Sequence, residues 1–298
     1  MQGDDVDTVR SAIWNNLPQE KKFSPERVAQ ITSRFRTVHG DGNSATVFRG
    51  TSGGSRVAVK CRKRGSEQGE KAFLTEIVVH SRMGNHPKIV GFLGCGLHSQ
   101  SRMAYIVCEF MPNGSLESHI QANLRQFSWR RILQVLIDVA TAISHLHSLG
   151  IAHRDIASRN ILLDADLRGK LNDFGLCKLP LDAGCYFHEP VYPRIPSTLD
   201  FDVYRFGMVL FEVLHKRQCL DRQRSVLGWM QTLMTRGSHT VQDSANIQAS
   251  WRSSGRSAVS SRSMGVIQRL AFRCVHSCSC YRPSISQVLD QLRHAAHY

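Results

Sequence analysis

Long apolar runs are missing from this chain. No window approaches eighteen consecutive apolar residues, and stretches such as Met208 to Phe211 are far too short to cross a bilayer, which excludes an integral membrane protein. The N-terminus, Met1-Gln2-Gly3-Asp4-Asp5, has no apolar h-region, and its glycine stands at position 3 where the myristoylation pattern needs position 2. Neither a secretory signal nor an acyl anchor is expected, and the default compartment is the cytoplasm. A cysteine framework is absent too: nine cysteines lie singly along most of the chain, which predicts free thiols in a reducing compartment. No internal repeat, zinc-finger spacing, basic-zipper region or aromatic-studded RNA-binding strand occurs.

What is present is an ordinary globular composition. The 298 residues allow one large domain or two of usual size, with 42% apolar and 21% charged residues. Lysine and arginine number 38 against 24 acids, a net charge of +14 that favours acidic partners such as a membrane surface, nucleic acid or a phosphate-bearing ligand. The charge is diffuse, densest at Arg56, Lys60, Arg62, Lys63 and Arg64. Peripheral association with the plasma membrane fits this field; nucleic acid binding is not expected.

Residues 1–23 are polar without a strong period and read as a mobile leader. Ser24-Pro25-Glu26 then supplies a cap, a first-turn proline and a first-turn acid for a short helix with Val28 and Ile31 on one face. Residues 37–62 change to a strand pattern: a Gly-rich turn, a run through Val47, a Ser52-Gly53-Gly54 turn, and Val57-Ala58-Val59. Between Phe127 and Gly150, the residues Ile132, Val135, Leu136, Val139, Ala140, Ile143 and Leu146 follow the helical template, and Gly150 is a natural stop. Further helices are indicated over Asp202 to Leu214 and Ser284 to Ala295. The predicted architecture is α+β and two-lobed. A leader with a short helix (1–32) precedes a small β-rich lobe (33–111), a larger helical lobe (112–293) and a tail (294–298), with Pro112-Asn113-Gly114-Ser115 as the hinge. Residues 250–263 hold seven serines and three arginines and read as a surface loop. Cys274, Cys278 and Cys280 have the wrong spacing for the usual zinc pairs and read as part of an ordinary turn.

Chemistry is carried by an ordered set of motifs. Gly40-Asp41-Gly42-Asn43-Ser44-Ala45-Thr46-Val47 has the form of a loop whose amides fold over phosphates; alone it is more commonly a hairpin turn. Lys60 closes the strand Val57-Ala58-Val59-Lys60, and Glu76, in a helix-compatible run, is placed to pair with it. His153-Arg154-Asp155-Ile156-Ala157-Ser158-Arg159-Asn160 follows the buried helix, and Asp173-Phe174-Gly175 comes eighteen residues after Asp155. Together these resemble the eukaryotic protein kinase signature over about residues 33–293. Phe23-Ser24-Pro25-Glu26, the run Cys108 to Leu116, Asn160 to Asp164 and Asp202-Val203-Tyr204-Arg205-Phe206-Gly207 are similar to plant receptor-like kinases of the cytoplasmic branch.

The resemblance implies ATP and Mg²⁺ as cofactors and a protein as substrate, with an upstream receptor kinase as a further partner. Lys60, steadied by Glu76, would grip phosphates under Gly40 and Gly42; Asn160 and Asp173 would hold the metal; Asp155 would orient the substrate hydroxyl. Adenine would sit between Val47 and Ala58 above and Leu162 below, against backbone at Glu109 and Met111, beside a small Cys108. Ala157 and Arg159 follow the tyrosine kinase pattern, while the plant-like context favours Ser/Thr, so Ser/Thr is favoured with Tyr or dual specificity open. The closing motif is Phe187-His188-Glu189, with Glu189 expected to pair with Arg282. That degenerate platform keeps a catalytically weak or inactive scaffold as the alternative. His39 and His80 stand where the family carries apolar residues, each accommodated as a neutral ring or acting as a pH switch. Arg154 is expected to meet Asp182 or a phosphorylated side chain, or else to be solvated.

Overall fold

The computed structural model describes residues 6–42, 45–63, 65, 67–97, 103–180, 198–216, 247, 249, 251 and 260–298. The small lobe is a five-stranded antiparallel sheet of β1 (Val38–Asp41), β2 (Ala45–Ser52), β3 (Ser55–Arg62), β4 (Phe92–Leu97) and β5 (Ala104–Glu109), in the order β1-β2-β3-β5-β4. Period-two alternation divides β3: Val57 and Val59 are buried with Phe23, Val28, Ile31 and Val107, while Ala58 and Lys60 stay half-exposed. The β2–β3 hairpin turns on Gly53 and Gly54, both at positive φ (56° and 78°), a two-residue connection matching the twist of the strands.

Two helices precede the sheet, α1 (Val6–Asn16) and α2 (Pro25–Ile31). The Ser24 hydroxyl accepts from the Arg27 N–H and Pro25 opens α2, as the sequence predicts. Over residues 6–23 a mobile leader is not what forms; residues 1–5 lie outside the described residues. Val9, Ile13 and Leu17 are buried in the main apolar cluster, and residues 21–23 run along β4, where Lys22 bridges Cys95 and the Phe23 N–H donates to the Cys95 carbonyl at 2.9 Å. That approach requires glycine on β4: a Cβ at Gly94 would collide with the Lys21 carbonyl, and one at Gly96 would lie 2.5 Å from that of Phe23. Helix α3 (Glu67–Met83) covers the sheet, with Phe73, Leu74, Ile77 and Val79 buried.

The large lobe is built on α5 (Trp129–Ser148), preceded by α4 (Leu116–Gln121), which Ser115 caps, and followed by the β6 (Ile161–Leu163) and β7 (Gly169–Leu171) hairpin. Every residue of the predicted stripe on α5 is 0% exposed, and Gly150 leaves the helix at φ 68°. Helices α6 (Leu199–His215), α7 (Ser261–Cys274) and α8 (Ile285–Ala296) complete the lobe; α8 packs on α5 and α7, and α7 on α6. No described helix is long and apolar enough to cross a membrane.

Two compositional readings are corrected. The 250–263 segment is not wholly a surface loop: Trp251 is buried, its ring 5.2 Å from that of Trp129, and Ser260 caps α7, whose buried Ser263 accepts a hydrogen bond from Trp129 Nε1. Serine there caps and packs a helix; residues 250 and 252–259 lie outside the described residues. Nor are all cysteines free. Cys278 and Cys280 form a disulfide across an exposed turn, because one intervening residue in a 3₁₀ geometry brings their Cα atoms to 5.5 Å, while Cys61, Cys95, Cys108, Cys177 and Cys274 are thiols.

Buried Asp138 on α5 accepts from Arg168 at 2.7 Å through both Nε and Nη2, and from Lys88 at 2.9 Å. Burial alone would raise this carboxyl, but the hydrogen bonds and charges of Arg168 and Lys88 outweigh it and hold it below the usual range. The stability it supplies is therefore full above the unfolded pKa of about 3.9 and is lost as pH falls through the lower folded value.

Two outcomes follow. Gly94→Ala should cost about 1–3 kcal/mol, lowering the calorimetric melting temperature by several degrees; an unchanged melt would mean that residues 21–23 do not lie against β4. Asp138→Asn should lower stability at neutral pH and flatten the fall in unfolding free energy below about pH 4. Denaturant titrations giving wild-type slope there would contradict this assignment.

Candidate active site

Strand register places Val47 opposite Lys60, and Ala58 opposite both Arg49 and Cys108. From this face the Lys60 ammonium reaches Glu76 Oε2 on α3 at 2.6 Å and Asp173 Oδ1, beyond β7, at 3.1 Å. Burial alone would lower the Lys60 pKa, but the charges of Asp173 and Glu76 reverse that and hold it raised, so the ammonium persists. Burial pushes the Glu76 carboxyl up, to about 7, against the pull of Lys60. The Lys60 charge holds Asp173 below the usual carboxylate range.

Asp173 sits at φ 65° and Arg154 at φ 69°, left-handed positions that turn both segments sharply at the cleft. Asn160 donates through Nδ2 to the Asp155 carbonyl and to its Oδ2, both at 2.8 Å, while the Asn160 backbone carbonyl accepts from Asn172 at 2.9 Å. The loop bearing Asp155 and Asn160 is thus stitched to the strand leading into Asp173. Arg159 reaches both Asp155 oxygens, at 2.6 and 2.8 Å, and Arg205 lies 3.8 Å from Oδ1. The Asp173 side chain is 42% exposed, and with Asn160 spending its amide N–H on Asp155, its amide oxygen is left as a metal-ligating atom. Hard oxygen donors, few in number, suit a Mg²⁺ that keeps waters and phosphate oxygens as its other ligands.

At the entrance, Gly40 and Gly42 lie on and just after β1; Asn43 and Ser44 are outside the described residues. A Cβ at Gly40 would meet nothing within 4 Å, and at Gly42 only the Ala45 carbonyl at 3.5 Å, so neither glycine is demanded by protein packing. Val47, Ala58 and Leu162 are half-buried, and Glu109 and buried Met111 carry the chain out of β5 into the large lobe. Glu109 is held firmly: its carboxylate accepts from Gly91 N–H and Lys170, each at 2.6 Å. His39 lies against Phe110, ring centroids 4.8 Å apart.

A column of rings joins the lobes. His80 stacks on Phe92 at 5.0 Å and meets Phe174 edge-on at 4.9 Å, and Phe174 meets His153 at 5.1 Å. Burial, then the charges of Lys60 and Lys21, push His80 down to about 3, and its Nε2 has no hydrogen-bond partner among the described residues. The ring is neutral, so of the two readings it is the accommodated histidine and not a pH switch in the physiological range.

Asp202 was legible only as part of a resembling motif, without a role. Completely buried on α6, it accepts from the backbone N–H groups of His153 (2.8 Å) and Arg154 (2.7 Å) and contacts His147 at 3.1 Å. Arg154 is 1% exposed, not solvated, and donates to the Leu176 carbonyl at 3.0 Å. Asp182, Tyr186 and Glu189 lie outside the described residues; Arg282 bonds Asp200 at 2.7 Å. No group of three or more metal-ligating side chains exists among the described residues.

Comparison with known proteins agrees with this geometry. The family model described as protein tyrosine and serine/threonine kinase matches residues 34–190. From Arabidopsis thaliana, the "Probable LRR receptor-like serine/threonine-protein kinase PAM74" is 31% identical over 94% of this chain and 34% of its own length. The L-type lectin-domain containing receptor kinase V.7 is 31% identical, covering 95% of this chain and 46% of the relative. The LEAF RUST 10 disease-resistance locus receptor-like protein kinase-like 1.3 is 32% identical, with 91% and 41% covered. The chain spans about a third to a half of the length of these relatives. With the family match running over more than half of its residues and the relatives aligned along nearly all of it, the chain belongs to the protein tyrosine and serine/threonine kinase family.

Proposed function

We propose that this chain transfers the γ-phosphate of Mg-ATP to protein hydroxyls. The observation that carries this reading is the Lys60 ammonium held between Glu76 and Asp173, a cation fixed in place with an exposed carboxylate beside it. Phosphoryl transfer needs little covalent help; it needs phosphates positioned and their charge neutralised. Lys60 would grip the phosphates, and the packing-free glycines Gly40 and Gly42 leave room for them to approach the backbone. Asp173 and Asn160 would hold Mg²⁺, which supplies charge neutralisation at the phosphate oxygens. Adenine would lie between Val47, Ala58 and Leu162, against the backbone at Glu109 and Met111.

Asp155 would orient the acceptor hydroxyl, which must displace Arg159 from one carboxylate oxygen; the freed guanidinium is then placed to meet the transferred phosphate. The serine/threonine kinases among the relatives favour Ser/Thr acceptors, while Ala157 and Arg159 leave tyrosine open. In this reading residues 33–111 and 112–293 are the two lobes, and α1 and α2 belong with the small one. The substrate is a protein, an upstream receptor kinase is the expected regulator, and the compartment is cytoplasmic with peripheral attachment through the +14 charge.

Mass spectrometry of the purified full chain, incubated with and without Mg-ATP, tests the proposal and reports acceptor identity. Wild type should gain phosphate only with both, and Asp173→Asn should slow incorporation about 10² to 10⁴-fold. Equal incorporation by the two proteins contradicts the reading. Nucleotide binding without turnover by wild type would establish the scaffold instead.

A further inference from the structure

The charge pair that locks α3 to the sheet has a second rung. Lys60 and Arg62, two residues apart, share one face of β3; Lys60 meets Glu76, and Arg62 lies 3.6 Å from Glu70 on the preceding turns of α3. One rung alone would leave α3 free to pivot about it, whereas two, about 9 Å apart along the helix axis, fix both its rotation and its slide. The outer rung is closed from the far side by α1. Arg10, 2% exposed, pairs through Nη1 with Glu70 and donates through Nη2 to the carbonyl of Met103, the residue before β5, at 2.9 Å. Around it Val9, Ile13 and Leu17 share an apolar cluster with Phe73, Leu74, Ile77 and Val78 of α3. A buried guanidinium that bridges a helix carboxylate to the backbone of a neighbouring strand is a spacer of fixed length between the two.

We infer that α1 is a built-in brace for α3, and that Arg10 is a positioning residue which, through Glu70, sets the helix where Glu76 meets Lys60. The consequence at the nucleotide site rests on the phosphotransfer reading; the positioning of α3 does not. Arg10 reaches α3 through Glu70, and Glu70 and Glu76 belong to the same helix, so α3 carries its effect to the Lys60 pair. By linkage, whatever brace docking does for nucleotide binding, nucleotide binding does for the brace.

The test uses the full chain with four substitutions: Arg10→Met, Arg10→Lys, Glu70→Gln, and Val28→Ala as a control that thins the apolar cluster on the other face of the sheet. Two quantities are read: affinity for a Mg²⁺-bound non-hydrolysable ATP analogue by calorimetry, and hydrogen exchange of the Phe73 to His80 amides without nucleotide. Arg10→Met should bind about 5- to 30-fold more weakly and exchange faster along α3. Arg10→Lys, which can keep the Glu70 pair, should fall between it and wild type. Val28→Ala should melt lower yet keep wild-type affinity. In wild type, nucleotide should slow exchange in α1 itself. If Arg10→Met does not fold, Glu70→Gln, equal in shape, makes the same comparison. Wild-type affinity and exchange in the folded variant overturn the inference, as does weaker binding with no change along α3. Should wild type bind no nucleotide while Arg10→Met still speeds α3 exchange, the phosphotransfer reading fails and the brace stands.

Discussion

One ammonium between two carboxylates holds the small lobe, its helix and the large lobe in register. Lys60 comes from β3, Glu76 from α3, and Asp173 from the turn after β7, so three separately folded elements must arrive within about one hydrogen-bond length of a common point. Glu76 is nearly buried, and a carboxylate is expensive to remove from water unless it is paired. Its upward shift, to about 7, is the imprint of that cost. The pair is therefore a poor source of stability and a good device for specifying position, because any displacement of α3 leaves a charge stranded.

The ring column gives the same demand an apolar form. Phe92 belongs to β4, His80 to α3, and Phe174 and His153 to the two loops of the large lobe, so their contacts exist only when both lobes and α3 are seated. A histidine in this column is chemically unusual: burial and nearby positive charge keep it uncharged, and its unpartnered nitrogen costs free energy that a purely apolar side chain would not. Beneath the column, Asp202 uses a charged acceptor to fix two consecutive backbone amides of the loop that presents Asp155.

Much of this was legible before the structure, for reasons that differ by element. The α5 stripe is seven residues long in one period, and the Gly53-Gly54 turn is dictated by backbone sterics, so both are local properties. Of the candidate site residues, the motif spacing foretold two contacts that form: Lys60 with Glu76 and Asp173, and Asp155 with Arg159 and Asn160. Helix α1 was not legible: its buried face is only Val9, Ile13 and Leu17 on an otherwise polar segment, and its most informative residue, Arg10, reads as a surface charge until Glu70 and Met103 are placed beside it. Asp202 was hidden for a related reason, since nothing local to α6 shows that its partners are amides some fifty residues upstream. Tertiary pairing of polar groups across long sequence distances is what periodicity and composition do not encode.

In the proposed function Lys60 would hold a nucleotide's phosphates, and calorimetric titration of the full chain with ATP, with and without Mg²⁺, measures that directly. Binding should tighten with the metal and be lost in Lys60→Met. Affinity for ATP that is indifferent both to Mg²⁺ and to the loss of the Lys60 ammonium would contradict it.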